Sequence, residues 1–289
     1  MVDHLALKGT HTMSNAVITG AGSGFGRALA IVLAKRRWKI LIADINRAGM
    51  EETLSMVCKS GGEGEVFECD VSKQEDVQRM ADYSFSTWKR VDLLINNAGV
   101  ISCGFVGGIP LEDWRWCVDI NFWGMLYSCH SFIPGMKAQG GGHIINVASS
   151  AGIFSLMEMS PYNVTKAAVI SLSETMRTEL APHKIGVTVA CPMFFNTNLL
   201  DNMRYNDAWQ HEFAHSAFKH SRMNAEKVAE KTLRAYEKNS LYVIPQFTGK
   251  YYWILKRLSP SIFYGVISYA MKKGYGEKMI LFLTRIGMM

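Results

Sequence analysis

A tyrosine and a lysine stand at a spacing that allows them to act together in proton transfer. Tyr162 and Lys166 are four residues apart on a predicted helix, so their side chains share one helix face. A free tyrosine has a pKa of about 10, and a nearby cation favours its ionised form. The lysine and the positive end of the helix both supply such charge. The pair therefore predicts acid–base chemistry on a hydroxyl or carbonyl group.

Spacing alone does not select this pair, because Tyr252 and Tyr269 are also followed by a lysine four residues later. Their surroundings separate the three tyrosines. Ser149 precedes Tyr162 by thirteen residues and ends a predicted strand, whereas neither of the other tyrosines has a serine at that place. Ligands of open α/β sheets bind beyond the carboxyl ends of the strands. The serine therefore assigns the chemistry to Tyr162.

A glycine-rich turn, TGAGSGFG over residues 19–26, follows the first predicted strand. Glycines allow a tight turn and let a pyrophosphate approach the backbone at the start of the next helix. The strict GxGxxG spacing is absent, and an ordinary loop is the alternative. Asp44 lies 18 residues beyond Gly26, at the end of the second predicted strand. Its carboxylate can accept hydrogen bonds from an adenine ribose and would repel a 2′-phosphate, which favours NAD over NADP.

Two neighbours of Asp44 bear on the same choice. Ile45 stands where a basic residue would favour NADP, and Arg47 is interpreted as a solvated residue at the start of a helix. NADP is therefore the less favoured cofactor.

Short β-branched runs alternate with helical stretches, a pattern that predicts βαβ units and a parallel sheet. Strands are predicted at residues 16–19, 40–43, 66–69, 93–95, 143–147, 187–190 and 241–244. Helices are predicted at residues 25–35, 47–59, 73–88, 111–137, 162–180 and 225–238. Ser160 and Pro161 are expected to be the N-cap and first residue of the helix that carries Tyr162.

These elements predict one doubly wound, Rossmann-type α/β domain with a central parallel sheet over residues 14–245. An N-terminal extension (residues 1–13) and a C-terminal extension (residues 246–289) flank it. Met13 is an alternative start, and residues 1–12 are either native or added.

On these residues the chain resembles the short-chain dehydrogenase/reductase family, over residues 14–245. Residues 19–26 match its TGxxxGxG turn, residues 70–71 its adenine-contacting DV pair, and residues 96–99 its NNAG segment. Residues 119–121 are similar to the stretch that carries its helix asparagine, and Ser149, Tyr162 and Lys166 match its Ser–Tyr–Lys constellation. The cofactor-binding residues implied by the resemblance are Gly20, Ser23, Gly24, Phe25, Gly26, Asp44, Asp70, Val71, Asn97, Ala98, Gly99, Tyr162, Lys166, Pro192 and Thr197.

The resemblance also implies a role for each catalytic residue. Tyr162 is the acid–base group, and Ser149 orients and polarises the substrate oxygen. Lys166 holds the nicotinamide ribose and lowers the pKa of Tyr162. Asn121 supports a water-linked proton relay through Lys166. A homodimer or homotetramer built on the helices at residues 111–137 and 162–180 is implied as well.

One departure from the family pattern lies after the sixth strand, where the family usually reads Pro-Gly. Here Met193 follows Pro192, and Phe194 and Phe195 come next. These bulky residues predict an apolar wall and a lipophilic substrate, while Thr197 remains the expected contact of the nicotinamide carboxamide.

The net charge of +6 is concentrated near the C-terminus. From residue 241 onward seven basic residues accompany a single acid, Glu277, so this segment accounts for the whole excess. The preceding residues, 1–240, which we call the body, have no net charge, and this argues against nucleic acid as a partner. The basic, aromatic-rich extension either packs over the substrate cleft or a neighbouring subunit, or meets an anionic membrane surface as a peripheral contact.

Six cysteines without CxxC spacing are interpreted as reduced, mostly buried residues of a cytoplasmic protein. Residues 211–215 read HEFAH, which matches the HExxH signature of zinc hydrolases. A third ligand is needed, but His220 follows only five residues later and the longer metzincin pattern is not matched, so no metal is predicted and zinc hydrolysis is a remote alternative.

The predicted function is an NAD(H)-dependent oxidoreductase that transfers a hydride between the nicotinamide and a secondary alcohol or ketone. The alternative is a non-catalytic, cofactor-binding module on a membrane surface.

Overall fold

A single sheet of seven parallel strands organises the molecule. We analysed a computed structural model of the chain, which describes residues 13–288. The predicted N-terminal extension lies outside the described residues except for Met13. The strands are β1 (Asn15–Thr19), β2 (Lys39–Asp44), β3 (Glu63–Glu68), β4 (Leu93–Asn96), β5 (Gly142–Val147), β6 (Ile185–Ala190) and β7 (Tyr242–Val243). Their order is β3-β2-β1-β4-β5-β6-β7, which confirms the doubly wound parallel arrangement.

Both faces of the sheet are buried, which explains why the strands read as continuous apolar runs. Neighbouring residues on β1 belong to two separate hydrophobic clusters. Ala16 and Ile18 pack into the cluster that contains Leu29, whereas Val17 packs into the one that contains Phe132. Successive side chains of a strand point to opposite faces, so helices must cover the sheet on both sides.

The helices connect the strands or follow the last one. They are α1 (Gly24–Ala34), α2 (Arg47–Lys59), α3 (Gln74–Trp88), α4 (Leu111–Val118), α5 (Gly124–Ala138), α6 (Ser150–Ile153), α7 (Ser160–Glu179), α8 (Ala208–Lys219), α9 (Ala225–Glu237), α10 (Phe247–Leu258), α11 (Pro260–Lys272) and α12 (Gly276–Arg285). Their ends follow ordinary capping chemistry in several places. For example, the side chain of Asn46 accepts a hydrogen bond from the backbone N–H of Gly49 at the start of α2.

Two local predictions are wrong. The helix predicted over residues 111–137 is divided by a π-helical turn at Asp119–Trp123, between α4 and α5. Hydrophobic periodicity cannot show one inserted residue inside a helix, and such turns are frequent at functional sites. The N-cap of α7 is Met159 instead of Ser160, which is the first helical residue. The Ser160 hydroxyl is buried and has no hydrogen-bond partner, so it caps nothing.

The strand order changes direction at β1, which pairs with β2 on one side and with β4 on the other. Crossover connections leave the sheet in opposite directions from this point. A crevice therefore opens at the carboxyl ends of these strands, where ligands of such sheets bind. The glycine turn after β1 and the NNAG segment after β4 both lie at this edge.

The C-terminal extension forms three helices, α10 to α12, that contact the rest of the chain. The ring of Tyr252 on α10 packs against Phe154 with ring centroids 5.5 Å apart, and the Thr284 hydroxyl on α12 lies 2.8 Å from that of Ser216 on α8. The boundary predicted at residue 245 falls between β7 and α10 and stays a prediction. Within residues 13–288, none of the helices is long and apolar enough to cross a membrane.

Replacement of a core aromatic residue should cost far more stability than replacement of an exposed one. Phe132 is fully buried and packs against Phe85, whereas Phe247 is 81% exposed. We expect Phe132→Ala to lower the free energy of unfolding by about 3–5 kcal/mol, because it leaves a cavity. Phe247→Ala should change it by less than about 0.5 kcal/mol. Denaturant unfolding measures both, and equal losses would contradict this assignment of the core.

Candidate active site

The carboxyl ends of the central strands line one cleft, and the structure brings most of the predicted site residues into it. Fifteen of the seventeen line the cleft wall: Gly20, Ser23, Gly24, Phe25, Asp44, Asp70, Val71, Asn97, Ala98, Gly99, Ser149, Tyr162, Lys166, Pro192 and Thr197. Gly26 and Asn121 do not line it, and both lie directly behind it.

The glycine turn is shaped by contacts that leave no room for side chains. A Cβ atom at Gly26, in the first turn of α1, would lie 2.2 Å from the carbonyl oxygen of Gly20, so only glycine fits at this position. Gly20 itself has φ of +64°, in the left-handed region that favours glycine. The Asn97 amide donates hydrogen bonds of 3.0 Å to the carbonyl oxygens of Thr19 and Gly20. The segment after β4 therefore holds the turn after β1.

Asp44 occupies the end of β2 next to this turn. One carboxylate oxygen accepts the backbone N–H of Gly22 at 2.9 Å, and the other accepts the N–H of Asn46 at 3.0 Å. These bonds fix the carboxylate against the wall of the cleft, beside Ile45, whose side chain is 70% exposed. A fixed anion at this place can accept hydrogen bonds from hydroxyl groups and repels phosphate.

Ser149 and Tyr162 meet at the centre of the cleft. Both residues are buried, and the Ser149 hydroxyl is the neighbouring polar group that favours ionisation of the Tyr162 phenol. The Ser149 Oγ also accepts the backbone N–H of Ala151 at 3.1 Å, because Ser149 is the N-cap of α6. This bond holds the serine in place, so its hydroxyl presents a fixed polar group beside the tyrosine.

Lys166 places a buried amino group in the site. Its Nζ donates a hydrogen bond of 2.9 Å to the carbonyl oxygen of Val147 and lies 5.6 Å from the centre of the Tyr162 ring. Burial lowers the pKa of Lys166 to about 8. Gly99 lies close by, and a Cβ atom there would be 3.3 Å from the Nζ.

The tyrosine pKa differs from the expectation. The resemblance implied that Lys166 lowers it, but in the folded chain burial of the phenol dominates and raises the pKa of Tyr162 above its ordinary value. The physical reason is that burial takes the phenol out of water, which disfavours its charged form more than the neighbouring Ser149 hydroxyl favours it.

Asn121 lies in the π-helical turn and binds the backbone behind the cleft. Its side-chain oxygen accepts the N–H of Val100 at 2.8 Å, and its amide donates to the carbonyl oxygen of the same residue at 2.9 Å. The amide also lies 3.2 Å from the Thr165 hydroxyl on α7. Asn121 therefore joins the segment after β4 to the helix that carries Lys166, and it acts as a positioning residue in this geometry. Its proposed part in a proton relay stays a prediction.

The remaining predicted residues lie at the two ends of the cleft. The Asp70 carboxylate accepts hydrogen bonds from the backbone N–H and the hydroxyl of Ser72, which turn the chain sharply after β3. At the other end, the Thr197 hydroxyl accepts a long hydrogen bond of 3.4 Å from the N–H of Leu199. Thr197 reaches the cleft even though the loop after Pro192 departs from the family pattern.

Sequence reasoning missed a buried polar chain beneath the cleft. The Asn96 amide donates to the side-chain oxygen of Asn146 at 2.9 Å, and the Asn146 amide donates to the Ser173 hydroxyl at 3.0 Å. These side chains link β4, β5 and α7. Asparagines inside apolar strands are the signal that could have revealed them, because a buried amide requires a partner. Phe218 of α8 also lines the cleft, and no sequence signal indicated it.

The HExxH sequence lies on helix α8, as a helical signature requires. The Nε2 atoms of His211 and His215 are 3.0 Å apart, within hydrogen-bonding distance of each other. In the described part of the chain, no group of three or more His, Cys, Asp or Glu side chains is placed to hold a metal ion. All six cysteines are free, and all but Cys58 are buried.

Known proteins are similar to this chain in sequence and in fold. The model of the short chain dehydrogenase family matches residues 14–208. SadH, a Mycobacterium tuberculosis protein named as an oxidoreductase, is 30% identical over 89% of this chain and 95% of its own length. Epidermal retinol dehydrogenase 2 of Homo sapiens is 34% identical over 64% of this chain and 61% of its own.

Among solved structures, a short-chain dehydrogenase/reductase from Burkholderia phymatum in complex with NAD is similar with a TM-score of 0.82. It is 31% identical, and the match covers 86% of this chain and 95% of that one. With the family match over residues 14–208 and the seven-stranded parallel sheet, these likenesses are enough to classify the protein. The chain belongs to the short-chain dehydrogenase family of oxidoreductases.

Proposed function

We propose that the protein transfers a hydride between NAD(H) and a secondary alcohol or ketone. The observation that carries the proposal is the meeting of Ser149, Tyr162 and Lys166 in the cleft that also contains the glycine turn and Asp44. A similarity to cyclohexanol dehydrogenase of Acinetobacter, 30% identical over 64% of this chain, supports an alcohol as substrate. Non-catalytic cofactor binding is the alternative that activity measurements decide.

Residues of the cleft suit the binding of a dinucleotide. Ser23 and Gly24 line the cleft at the start of α1, where the Ser23 side chain makes no cap hydrogen bond, and a helix N-terminus favours a pyrophosphate. When bound, the nicotinamide accepts or supplies the hydride. Lys166 is placed to donate hydrogen bonds to ribose hydroxyl groups, with its charge close to the reacting tyrosine.

Tyr162 is proposed to take the proton from the substrate hydroxyl in oxidation and to return it in reduction. Ser149 donates or accepts a hydrogen bond at the same substrate oxygen, and its cap bond to Ala151 holds it still. The raised pKa of Tyr162 keeps the phenol protonated, which suits its role as the acid in carbonyl reduction. In oxidation, the positive charge of the oxidised cofactor and of Lys166 would favour the phenolate.

Asp44 supports NAD over NADP in this proposal. Its carboxylate is held by two backbone N–H groups and cannot easily move away from a 2′-phosphate. Like charges so placed disfavour binding strongly. The neighbouring Ile45 offers no cation to compensate.

A lipophilic substrate is proposed because apolar side chains line the substrate side of the cleft. Leu156 and Met159 come from the segment before α7, Met193 and Phe194 from the loop after β6, and Phe218 from α8. The Phe194 ring also packs against Phe218, with centroids 5.6 Å apart. Such a wall favours an alcohol or ketone with a substantial hydrocarbon part.

A homodimer or homotetramer through α4, α5 and α7 is part of the proposal. Trp123, beside α5, is 42% exposed, and Val164 on α7 is 55% exposed. Large apolar side chains at the surface of neighbouring helices favour association with a second copy.

Removal of the tyrosine hydroxyl should abolish most turnover and spare cofactor binding. We expect Tyr162→Phe to lower kcat about 10²–10⁴-fold, the usual contribution of a positioned acid–base group. Tyr269→Phe is the matched control, because that tyrosine has the same lysine spacing but is 64% exposed. Steady-state kinetics and NADH fluorescence titration give both readouts. Near-wild-type turnover of Tyr162→Phe would refute the mechanism.

Exchange of the acid at the end of β2 should change cofactor preference. The double variant Asp44→Ala/Ile45→Arg is expected to shift the NADPH-to-NADH affinity ratio by about tenfold or more toward NADPH, because a repulsive charge is replaced by an attractive one. Ile45→Arg alone is the control for the added cation. Fluorescence titration with each cofactor measures the ratio. An unchanged ratio in the double variant would show that Asp44 does not select the cofactor.

The buried lysine should make stability depend on pH in a defined direction. Between about pH 8 and 10.5 the lysine is mostly neutral in the folded chain but protonated in the unfolded chain. The unfolded chain then binds more protons, so this residue's contribution to stability rises with pH across that window. Lys166→Met removes the buried charge and should be more stable than the wild type below pH 8. That advantage, on the order of 3 kcal/mol, should shrink toward pH 10.5.

Denaturant unfolding at several pH values tests this expectation, with Lys273→Met as the control for an exposed lysine. The control should track the wild type across the same range. A Lys166→Met variant whose stability relative to the wild type does not vary with pH would mean that the amino group has an ordinary pKa.

A further inference from the structure

Exposed apolar side chains are concentrated on the C-terminal helices. Of the seventeen large hydrophobic residues that are exposed in the described chain, ten fall between residues 247 and 286. On α10 and α11 they recur at helical spacing, so each helix presents an apolar stripe to solvent. We call these two stripes the tail surface; it comprises Phe247, Tyr251, Ile254, Leu258, Ile262, Val266 and Tyr269. Exposed apolar groups at this density mark an interaction site.

The exposure of the stripes does not mean that the helices are detached, because other faces of the same helices contact the rest of the chain. The Trp253 ring of α10 lies 5.6 Å from that of Tyr242 at the sheet edge. The Tyr264 hydroxyl of α11 accepts a hydrogen bond of 3.0 Å from the backbone N–H of Ser155. Contacts within the chain thus fix α10 and α11 while the tail surface stays uncovered.

The charged residues of α10 and α11 themselves are all positive. Residues 247–273 contain no aspartate or glutamate, and Lys250, Arg257, Lys272 and Lys273 are exposed there. None of these four forms an ion pair with any residue between 13 and 288. A second copy of the same surface would bring like charges together, which disfavours self-association through it. An anionic partner is complementary.

We propose that the tail surface docks the protein onto an anionic lipid bilayer. Apolar stripes flanked by lysine and arginine are the features of helices that lie in the plane of the interface, where apolar groups enter the acyl region and cations meet headgroups. Tyr251 and Tyr269 suit the boundary between the two, since tyrosine prefers that zone. Docking of this kind needs no helix that crosses the bilayer.

Docking would bring the substrate side of the cleft close to the bilayer. The segment whose Ser155 N–H donates a hydrogen bond to Tyr264 of α11 leads directly into Leu156, which lines the cleft. A lipophilic alcohol dissolved in the bilayer would then be the substrate class. This last step rests on the proposed function, whereas the docking itself does not.

Vesicle sedimentation with the full-length protein tests the docking without any substrate. The probes are vesicles of phosphatidylcholine alone and vesicles that also contain phosphatidylserine. We expect the protein to sediment with the anionic vesicles, to stay in solution with the neutral ones, and to be released as salt concentration rises. Failure to bind anionic vesicles at low salt would overturn the proposal.

Paired variants locate the contact. Ile254→Glu/Ile262→Glu should reduce vesicle affinity at least about tenfold, because it places anions in both stripes. Phe105→Glu/Val106→Glu is the matched control on the body, where both side chains are also exposed and neither lines the cleft. Lys272→Gln/Lys273→Gln should weaken binding to anionic vesicles about fivefold for each charge removed.

Two further readouts keep the outcomes distinct. NADH titration of every variant reports an intact cleft, so a failed proposed function and a failed docking proposal give different results. Light scattering reports the oligomeric state. If Ile254→Glu/Ile262→Glu dissociates an oligomer and the wild type ignores vesicles, the tail surface is an interface between copies, and membrane docking is wrong.

Discussion

The arrangement of the active-site cleft depends on one buried positive charge. Lys166 carries its amino group into the interior, where the carbonyl oxygen of Val147 is its hydrogen-bond partner. No carboxylate pairs with it in the described residues, so the surrounding chain must tolerate a cation that water no longer stabilises. Gly99 leaves space for that amino group, and Asn121 fixes the neighbouring backbone. The residues that surround the amino group are thereby held in place around it.

The parallel sheet stabilises such a site, because it brings polar groups from distant parts of the sequence together at one edge. The side chains that follow β1, β4 and β5 meet there, and amide hydrogen bonds tie the strand ends together. Asn97 holds the glycine turn, and Asn96 reaches Asn146 beneath the cleft. A rigid set of strand ends can hold reacting groups in position more precisely than mobile loops can.

Much of this architecture could be predicted from sequence, since continuous apolar strands, a glycine turn and the Tyr162/Lys166 spacing each have a local physical cause. The π-helical turn around Asn121 could not, because it spans only five residues, which are too few for a change of hydrophobic period to be recognised. The cap of α7 was misassigned to Ser160, whose side chain is directed into the protein. The pKa of Tyr162 depends on burial in three dimensions, and no spacing rule reports that. The π-helical turn, the cap of α7 and the pKa of Tyr162 therefore depend on tertiary packing, which the sequence pattern does not report.

The contact between Thr284 and Ser216 has a consequence for how the chain is made. Synthesis proceeds from the N-terminus, and domains begin to fold in that order. The strands and the glycine turn leave the ribosome well before α12, whereas α8 receives its hydroxyl partner only when α12 has emerged. The dinucleotide-binding part of the cleft is therefore synthesised before the contact that fastens α8, the helix that carries Phe218 of the substrate wall.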